Sequence, residues 1–176
     1  ELMQAVVAKS SGLRTGRRMS HVAILDVPAY ARLLYLTDAN LNIYPTVEDK
    51  RDIVQNAIDL AHVLGVEKPK VAILSAIETV SPRLQSSMEA AALGKMPDRR
   101  QIVGGVVDGP LAFEDAVSPE AAAAKGLVSP IAGQADILVV PDLESGTMLL
   151  KQLEYLSEAQ TADVVLGARV PIGLIS

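Results

Sequence analysis

Residues 101–151 constrain the fold of this chain more than any other stretch. They begin Gln-Ile-Val-Gly-Gly-Val-Val-Asp-Gly-Pro-Leu-Ala-Phe. Ser-Pro-Glu-Ala-Ala-Ala-Ala-Lys-Gly follows, then Ala-Asp-Ile-Leu-Val-Val-Pro-Asp-Leu-Glu-Ser-Gly-Thr-Met. The order is strand, Gly-rich loop, helix, strand, polar loop, helix. Residues 137–140 form a short aliphatic run, the pattern of a buried strand. Asp142 follows as a helix N-cap, and an apolar-striped helix begins after it. Such junctions point free backbone N–H groups out of the carboxyl end of a sheet, where anions bind.

The rest of the chain alternates in the same way. Strands are expected at 19–27, 32–36, 71–75, 102–107, 137–140, 164–166 and 172–174. Helices are expected at 46–64, from Ser81-Pro82 towards Leu93, from Ser118 to Gly126, and at 143–159. Thr46 with Asp49 three residues later is a variant of the capping box. Val54, Ala57, Ile58, Ala61 and Leu64 make the apolar stripe of that helix, and Gly65 ends it. In the last helix Leu149, Leu153 and Leu156 share a face. Alternating strands and helices predict an α/β domain, three-layer α/β/α, with a largely parallel sheet. The core must be aliphatic, since 49% of the 176 residues are hydrophobic and only 3% aromatic.

Several function classes are excluded. With no cysteines there are no disulfides, thiol catalysis or Cys-ligated metals. His21 and His62 lie far apart, so no metal site is expected. A net charge of −5 argues against a nucleic-acid partner. No apolar run reaches membrane-spanning length and no signal peptide is visible, so a cytoplasmic protein is expected. The chain opens on what reads as mid-helix and closes on what reads as mid-strand, the expectation for a segment of a longer protein.

Four polar constellations stand out. Asp142-Leu-Glu-Ser-Gly-Thr147, with Lys151 a turn later, offers close backbone approach at Gly146, a hydroxyl at Thr147 and a cation at Lys151. The same spacing also suits a well-capped helix with a surface lysine. Thr37-Asp38-Ala-Asn40-Leu-Asn42 places amide and carboxylate groups that line clefts or brace turns. Arg14, Arg17 and Arg18 flank Gly16 and suit phosphates or a solvated basic face. Asp108-Gly109-Pro110 after Gly104-Gly105 is a tight turn and lacks the spacing of a phosphate-binding or dinucleotide loop.

The order of motifs carries a resemblance. Gly12-Leu-Arg-Thr-Gly16, Ser20-His-Val-Ala23, Thr37-Asp38 through Pro45, Asp108-Gly-Pro-Leu-Ala112, and Lys125-Gly126 with Ser129 come first. Ala132-Gly133, Ala135-Asp136, Pro141 through Met148, and Gly167-Ala-Arg-Val-Pro-Ile172 to Ser176 follow. Together they resemble phosphate acetyl/butyryltransferases over essentially the whole chain, in the branch of phosphate butyryltransferases and of transferases fused to an enoyl-CoA hydratase-like domain. The resemblance implies transfer of a short acyl group between CoA and inorganic phosphate, with acyl-CoA as substrate and no bound cofactor. It implies a homo-oligomer and two α/β/α domains, the second inserted in the first. Residues 1–13 would be a helix crossing from the first domain, 14–168 the inserted domain, and 169–176 a strand returning. It implies Ser176 as catalytic, with Gly146, Thr147, Lys151, Ser129, Asp38 and Asn42 binding substrate. Thr147 stands where the family usually has Asn, and Gly173 where it usually has a β-branched residue. These departures leave a non-catalytic member, serving acyl-CoA binding or assembly, as the alternative. A related oxidoreductase domain is a third reading, disfavoured by the missing dinucleotide fingerprint.

Overall fold

The computed structural model describes residues 15–174, with the side chain of Leu174 left out. Seven strands form one mixed sheet: β1 (Ser20–Asp26), β2 (Leu34–Thr37), β3 (Lys70–Leu74), β4 (Val106–Leu111), β5 (Ile137–Val139), β6 (Gln160–Leu166) and β7 (Ile172–Leu174). Their order is β4-β3-β5-β2-β1-β6-β7. Pairings among β4, β3, β5 and β2 are parallel. β1 runs against β2 and β6, and β7 runs against β6. All strands but β1 and β7 therefore share one direction. β7, expected on the return path out of the domain, is hydrogen-bonded to β6 from Asp163 to Val165 and forms the outer edge of the sheet.

The strands β3 and β5 alternate cleanly, as a pleat requires. Ala72, Leu74, Leu138 and Val140 face one way and join Leu36, Ile131, Leu150 and Leu153. Val71, Ile73, Ile137 and Val139 face the other way and join Val54, Ile58, Ala90 and Leu93. On that second face lie α1 (Val47–Val63) and α2 (Gln85–Lys95), followed by a 3₁₀ turn at Met96–Arg99. The first face carries α3 (Phe113–Val117), α4 (Pro119–Ala124) and α5 (Leu143–Leu156). Helices on both faces give the expected three layers.

Local chemistry fixes the helix ends. Thr46 and Asp49 form the capping box of α1 with both reciprocal bonds present. Ser118 caps α4 and Asp142 caps α5. Gly65, at φ 90°, turns the chain out of α1. The buried stripe of α1 extends to Ile53 and Asn56, while Leu64 is exposed.

Some boundaries differ from the sequence reading. The strand expected at 102–107 is β4, displaced to Val106–Leu111. Gly104 at φ 87° forces a bend that a strand cannot hold, and β4 is an edge strand, where Pro110 withholds no needed ladder bond. Ile102 is nevertheless buried in the core as a loop residue. The helix expected from Ser81-Pro82 begins instead at Gln85. Residues 81–84 close a turn through Leu84 N–H to Ser81 O at 3.1 Å, and the Ser87 hydroxyl bonds Ser81. The buried stripe of α5 is Gly146, Leu150 and Leu153, with Leu156, at the helix end, exposed. Strand β6 starts four residues earlier than expected, because Gln160 to Asp163 lie toward the sheet's open margin and need no apolar run.

Candidate functional site

The parallel strands β3 and β5 are neighbours, yet the chain leaves them for opposite faces: α2 follows β3 on one side and α5 follows β5 on the other. This divergence opens a crevice beyond the carboxyl ends of the strands, the place where open α/β sheets bind ligands. A cleft of about 700 Å³ occupies it. Leu74, Val140, Leu149 and Phe113 make it apolar at depth, while Thr46, Ser75, Ser86 and Ser145 supply hydroxyls. The first turns of α1, α2 and α5 all border it. That of α2 has no side-chain cap, so its leading N–H groups are unclaimed by any capping side chain. Three helix N-termini converging on one crevice favour a negatively charged group there.

One ion pair spans the cleft. Lys50 of α1 reaches Glu89 of α2 at 2.5 Å, and both side chains are largely buried. Gln85 donates to the other oxygen of Glu89 at 2.7 Å. Ser75 and Ser86 share a hydrogen bond of 2.9 Å across the gap between β3 and α2. These groups were not singled out in the sequence. Ser75, just after an aliphatic strand run, carried a usable signal. Lys50 and Glu89 carried none, since they sit on separate helices 39 residues apart.

The sequence-selected residues fall into three places. Asp38, Asn42, Gly146 and Thr147 come together beside the cleft. Asp38 Oδ1 accepts from the N–H groups of Asn40 and Leu41, each at 2.9 Å. Its Oδ2 accepts from Asn42 Nδ2 at 2.6 Å and from His21 N at 3.3 Å. Asn42 also donates to Met19 O at 2.8 Å and accepts from Arg18 Nε at 2.7 Å. Both side chains are thus buried and engaged within the protein, bracing the loop after β2. Gly146 lets α5 close on that loop: an added Cβ would stand 2.9 Å from Asp38 O and 3.0 Å from Ala39 Cα. The Thr147 hydroxyl donates to Ala39 O at 2.7 Å. Lys151 is exposed and paired with Glu154 at 2.6 Å; this bond holds its ammonium above the ordinary lysine pKa. Ser129 is elsewhere, donating to Asp108 Oδ2 at 2.6 Å. Ser176 and Arg14 lie outside the described residues. Arg17 is tied to Asp59 at 2.6 Å and Arg18 sits 3.6 Å from Asp49, so both are braced by α1. Among the described residues no grouping of His, Cys, Asp or Glu suits a metal ion.

The family model described as Phosphate acetyl/butaryl transferase matches residues 2–176. The chain belongs to the phosphate acetyl/butyryltransferase family. It is 58% identical over 176 residues to a phosphate acetyltransferase of Rhizobium meliloti, covering 100% of this chain and 56% of that protein. It is 44% identical over 174 residues to the phosphate butyryltransferase of Clostridium acetobutylicum, covering 99% and 58%. The crystal structure of a branched-chain phosphotransacylase from Enterococcus faecalis V583 superimposes with a TM-score of 0.90 at 36% identity, over 99% of this chain and 62% of that one. This family member therefore spans little more than half the length of the curated relatives it matches.

Proposed function

We propose that the protein containing this chain is a phosphate acyltransferase, moving an acetyl or butyryl group between CoA and inorganic phosphate. The observation that carries the proposal is family membership over nearly every residue, combined with a cleft placed where such a sheet binds ligands. Acyl-CoA and phosphate are the substrates, with no resident cofactor, and the protein is a cytoplasmic homo-oligomer. Among the described residues no helix is long and apolar enough to cross a membrane.

In the forward direction a phosphate oxygen attacks the thioester carbonyl. A C–O bond forms, the C–S bond breaks, and the CoA thiolate leaves. Both substrates are anions and the tetrahedral intermediate carries a further negative charge, so the site must offer oriented donors. The first turns of α1, α2 and α5 fit that need, and the apolar depth of the cleft fits an acyl or pantetheine chain. The 14–168 segment would be the inserted domain, with residues 1–13 and 169–176 crossing to a second domain. Ser176 would act on the reacting groups, and Gly146, Thr147, Lys151, Ser129, Asp38 and Asn42 would shape or contact the substrate region. For Asp38, Asn42 and Thr147 the internal hydrogen bonds favour shaping over contact.

Thiol release from acetyl-CoA and butyryl-CoA by the full-length protein, with and without phosphate, tests the proposal. Phosphate-dependent thiol with either donor supports it, and its absence with every short-chain donor overturns it. The alternative, a non-catalytic member that binds acyl-CoA, draws on Thr147 and Gly173 and predicts acyl-CoA binding without turnover.

A further inference from the structure

Lys50, in the wall of the switch-point cleft, is placed at a cost that a helix contact does not explain. It sits in the first turn of α1, at the positive end of the helix dipole, where a cation is disfavoured. Its side chain is also nearly sealed, at 5% exposure. Burying an ammonium is costly unless its donors are met. An ammonium has three donors, and here one is met. Glu89 Oε2, at 2.5 Å, is the only acceptor that Nζ has among the described residues. Lys50 is also the only cationic side chain among the described residues that lines the cleft. A clamp joining α1 to α2 would need neither spare donors nor a place beside a cavity. An apolar pair could serve instead, since replacing a buried ion pair in that way is often neutral or stabilising. Polar groups held against local preference in this manner mark function.

The neighbours of Nζ say what it would hold. Gln85, at the start of α2, donates to Glu89 Oε1 at 2.7 Å, which fixes Glu89 and its lysine beside the first turn of that helix. In that turn the N–H groups of Gln85 and Ser86 have no acceptor among the described residues. The hydroxyls of Ser75 and Ser86 share one hydrogen bond, so whichever donates, the proton of the other stays uncommitted. The carboxylates lining the cleft are both engaged. Glu89 accepts from Lys50 and Gln85, and Asp142 accepts from the N–H and hydroxyl of Ser145. The uncommitted groups are therefore donors: an ammonium, a hydroxyl and helix-start N–H groups, a set suited to a tetrahedral oxyanion. Size selects among such anions. A nearly sealed ammonium is reached by a small free anion entering the cleft, whereas the phosphates of CoA are tied to an adenosine too bulky to follow.

We propose that Lys50 is the cationic contact for the inorganic phosphate that enters the transfer reaction. It keeps Glu89 with one N–H and offers the others to phosphate oxygens. It binds and orients the anion, and no bond is made to it. The inference rests on the acyltransferase reading, and it assigns one substrate of that reaction to a residue that none of the sequence motifs singled out.

The test uses the full-length protein with Lys50→Met, Lys50→Arg, and the double variant Lys50→Met with Glu89→Met. Thermal melts are read beside kcat and the separate KM values for phosphate and acyl-CoA. Lys50→Met leaves Glu89 buried without its cation and is expected to melt early. The double variant removes that fault and is expected to melt close to wild type. In both, the KM for phosphate is expected to rise about 10–100-fold, the worth of a hydrogen bond to a charged group. The KM for acyl-CoA is expected to stay within about threefold, because only one substrate loses a contact. Lys50→Arg keeps the charge and is expected to fall between wild type and Lys50→Met. A double variant with wild-type melting and a wild-type KM for phosphate would reduce the pair to a clamp and overturn this inference alone. A rise confined to the KM for acyl-CoA would put the phosphates of CoA on Lys50, and overturns it too. Should the double variant melt early, nitrogen NMR of the lysines in wild type decides. The Nζ resonance missing from Lys50→Arg is expected to move when inorganic phosphate is added, and a resonance that stays still overturns the inference. A wild type that releases no thiol overturns both readings.

Discussion

At Gly146 a single missing methyl group sets the geometry of the site. A Cβ there would lie 2.8 Å from Val140 Cγ2, 2.9 Å from Asp38 O and 3.0 Å from Ala39 Cα. Two of those three atoms are backbone and cannot swing away. Gly146→Ala is therefore expected to destabilise the protein by about 1–3 kcal/mol, the usual cost of overpacking, read as a lower urea midpoint at constant m. A change under half a kcal/mol would mean that α5 shifts freely on the loop after β2. Thr147 next to it gives the companion prediction. Its hydroxyl bonds Ala39 O, and an asparagine Nδ2 can make the same bond while its carbonyl oxygen faces outward. Thr147→Asn in the full-length protein is expected to leave stability nearly unchanged and to lower or preserve the KM for phosphate. A large loss of activity would show a site rebuilt around threonine. The sequence exposed these positions only in part. Asp38 and Asn42 were visible as polar residues in one short loop, but Asn42 is held by Met19 and Arg18 and Asp38 by the distant His21 N–H, so no local pattern could tell a ligand contact from a brace.

The elements show the same division. Where a rule is local, the sequence was sufficient: Thr46–Asp49 and Asp142 cap α1 and α5 as their spacing predicts. Where a position depends on neighbours in space, it was not. β4 could hold Gly109-Pro110 because it is an edge strand, and the order of strands is a property of the whole sheet. The exposed side of α5 likewise could not be read from Leu149, Leu153 and Leu156, because a glycine supplies the closest contact. The capping box of α1 also sets a pH dependence. Burial alone would raise the Asp49 pKa, but hydrogen bonds from the Thr46 backbone and hydroxyl, helped by Arg18, outweigh it and leave the carboxyl below its ordinary value. A carboxyl with a depressed folded pKa contributes stability that is present above the unfolded value, about 4, and lost as pH falls through the folded value. Thr46→Ala is expected to cost about 0.5–2 kcal/mol near neutral pH. That difference should shrink as pH falls below about 4, where wild type loses the same interaction. Parallel denaturation curves from neutral pH down to pH ~3 would check it. A mutational cost that stayed constant throughout would mean that Asp49 contributes nothing through its charge.

For the molecule as a whole, one sheet joins two aliphatic cores, and no strand or helix among the described residues lacks a partner layer except toward β6 and β7. Both faces of β3 and β5 are filled, with Val71, Ala72, Ile137 and Leu138 fully buried. Such a core supports independent folding, so the 176-residue chain alone is expected to unfold in one cooperative transition by far-UV circular dichroism. Turnover is a different matter. The chain spans little more than half of its curated relatives, and its switch-point cleft opens outward at one end of the parallel strands. An acyl transfer that excludes water needs that cleft covered, because a wet site weakens every oriented donor it contains. The isolated chain is therefore expected to fold and yet release no phosphate-dependent thiol above background, while the full-length protein does. The two assays are run on the same preparations, so that a folded but silent segment is separated from a misfolded one. Appreciable turnover from the folded 176 residues would place every group the reaction requires within this chain, and would make the cleft between β3 and β5 sufficient without a covering partner.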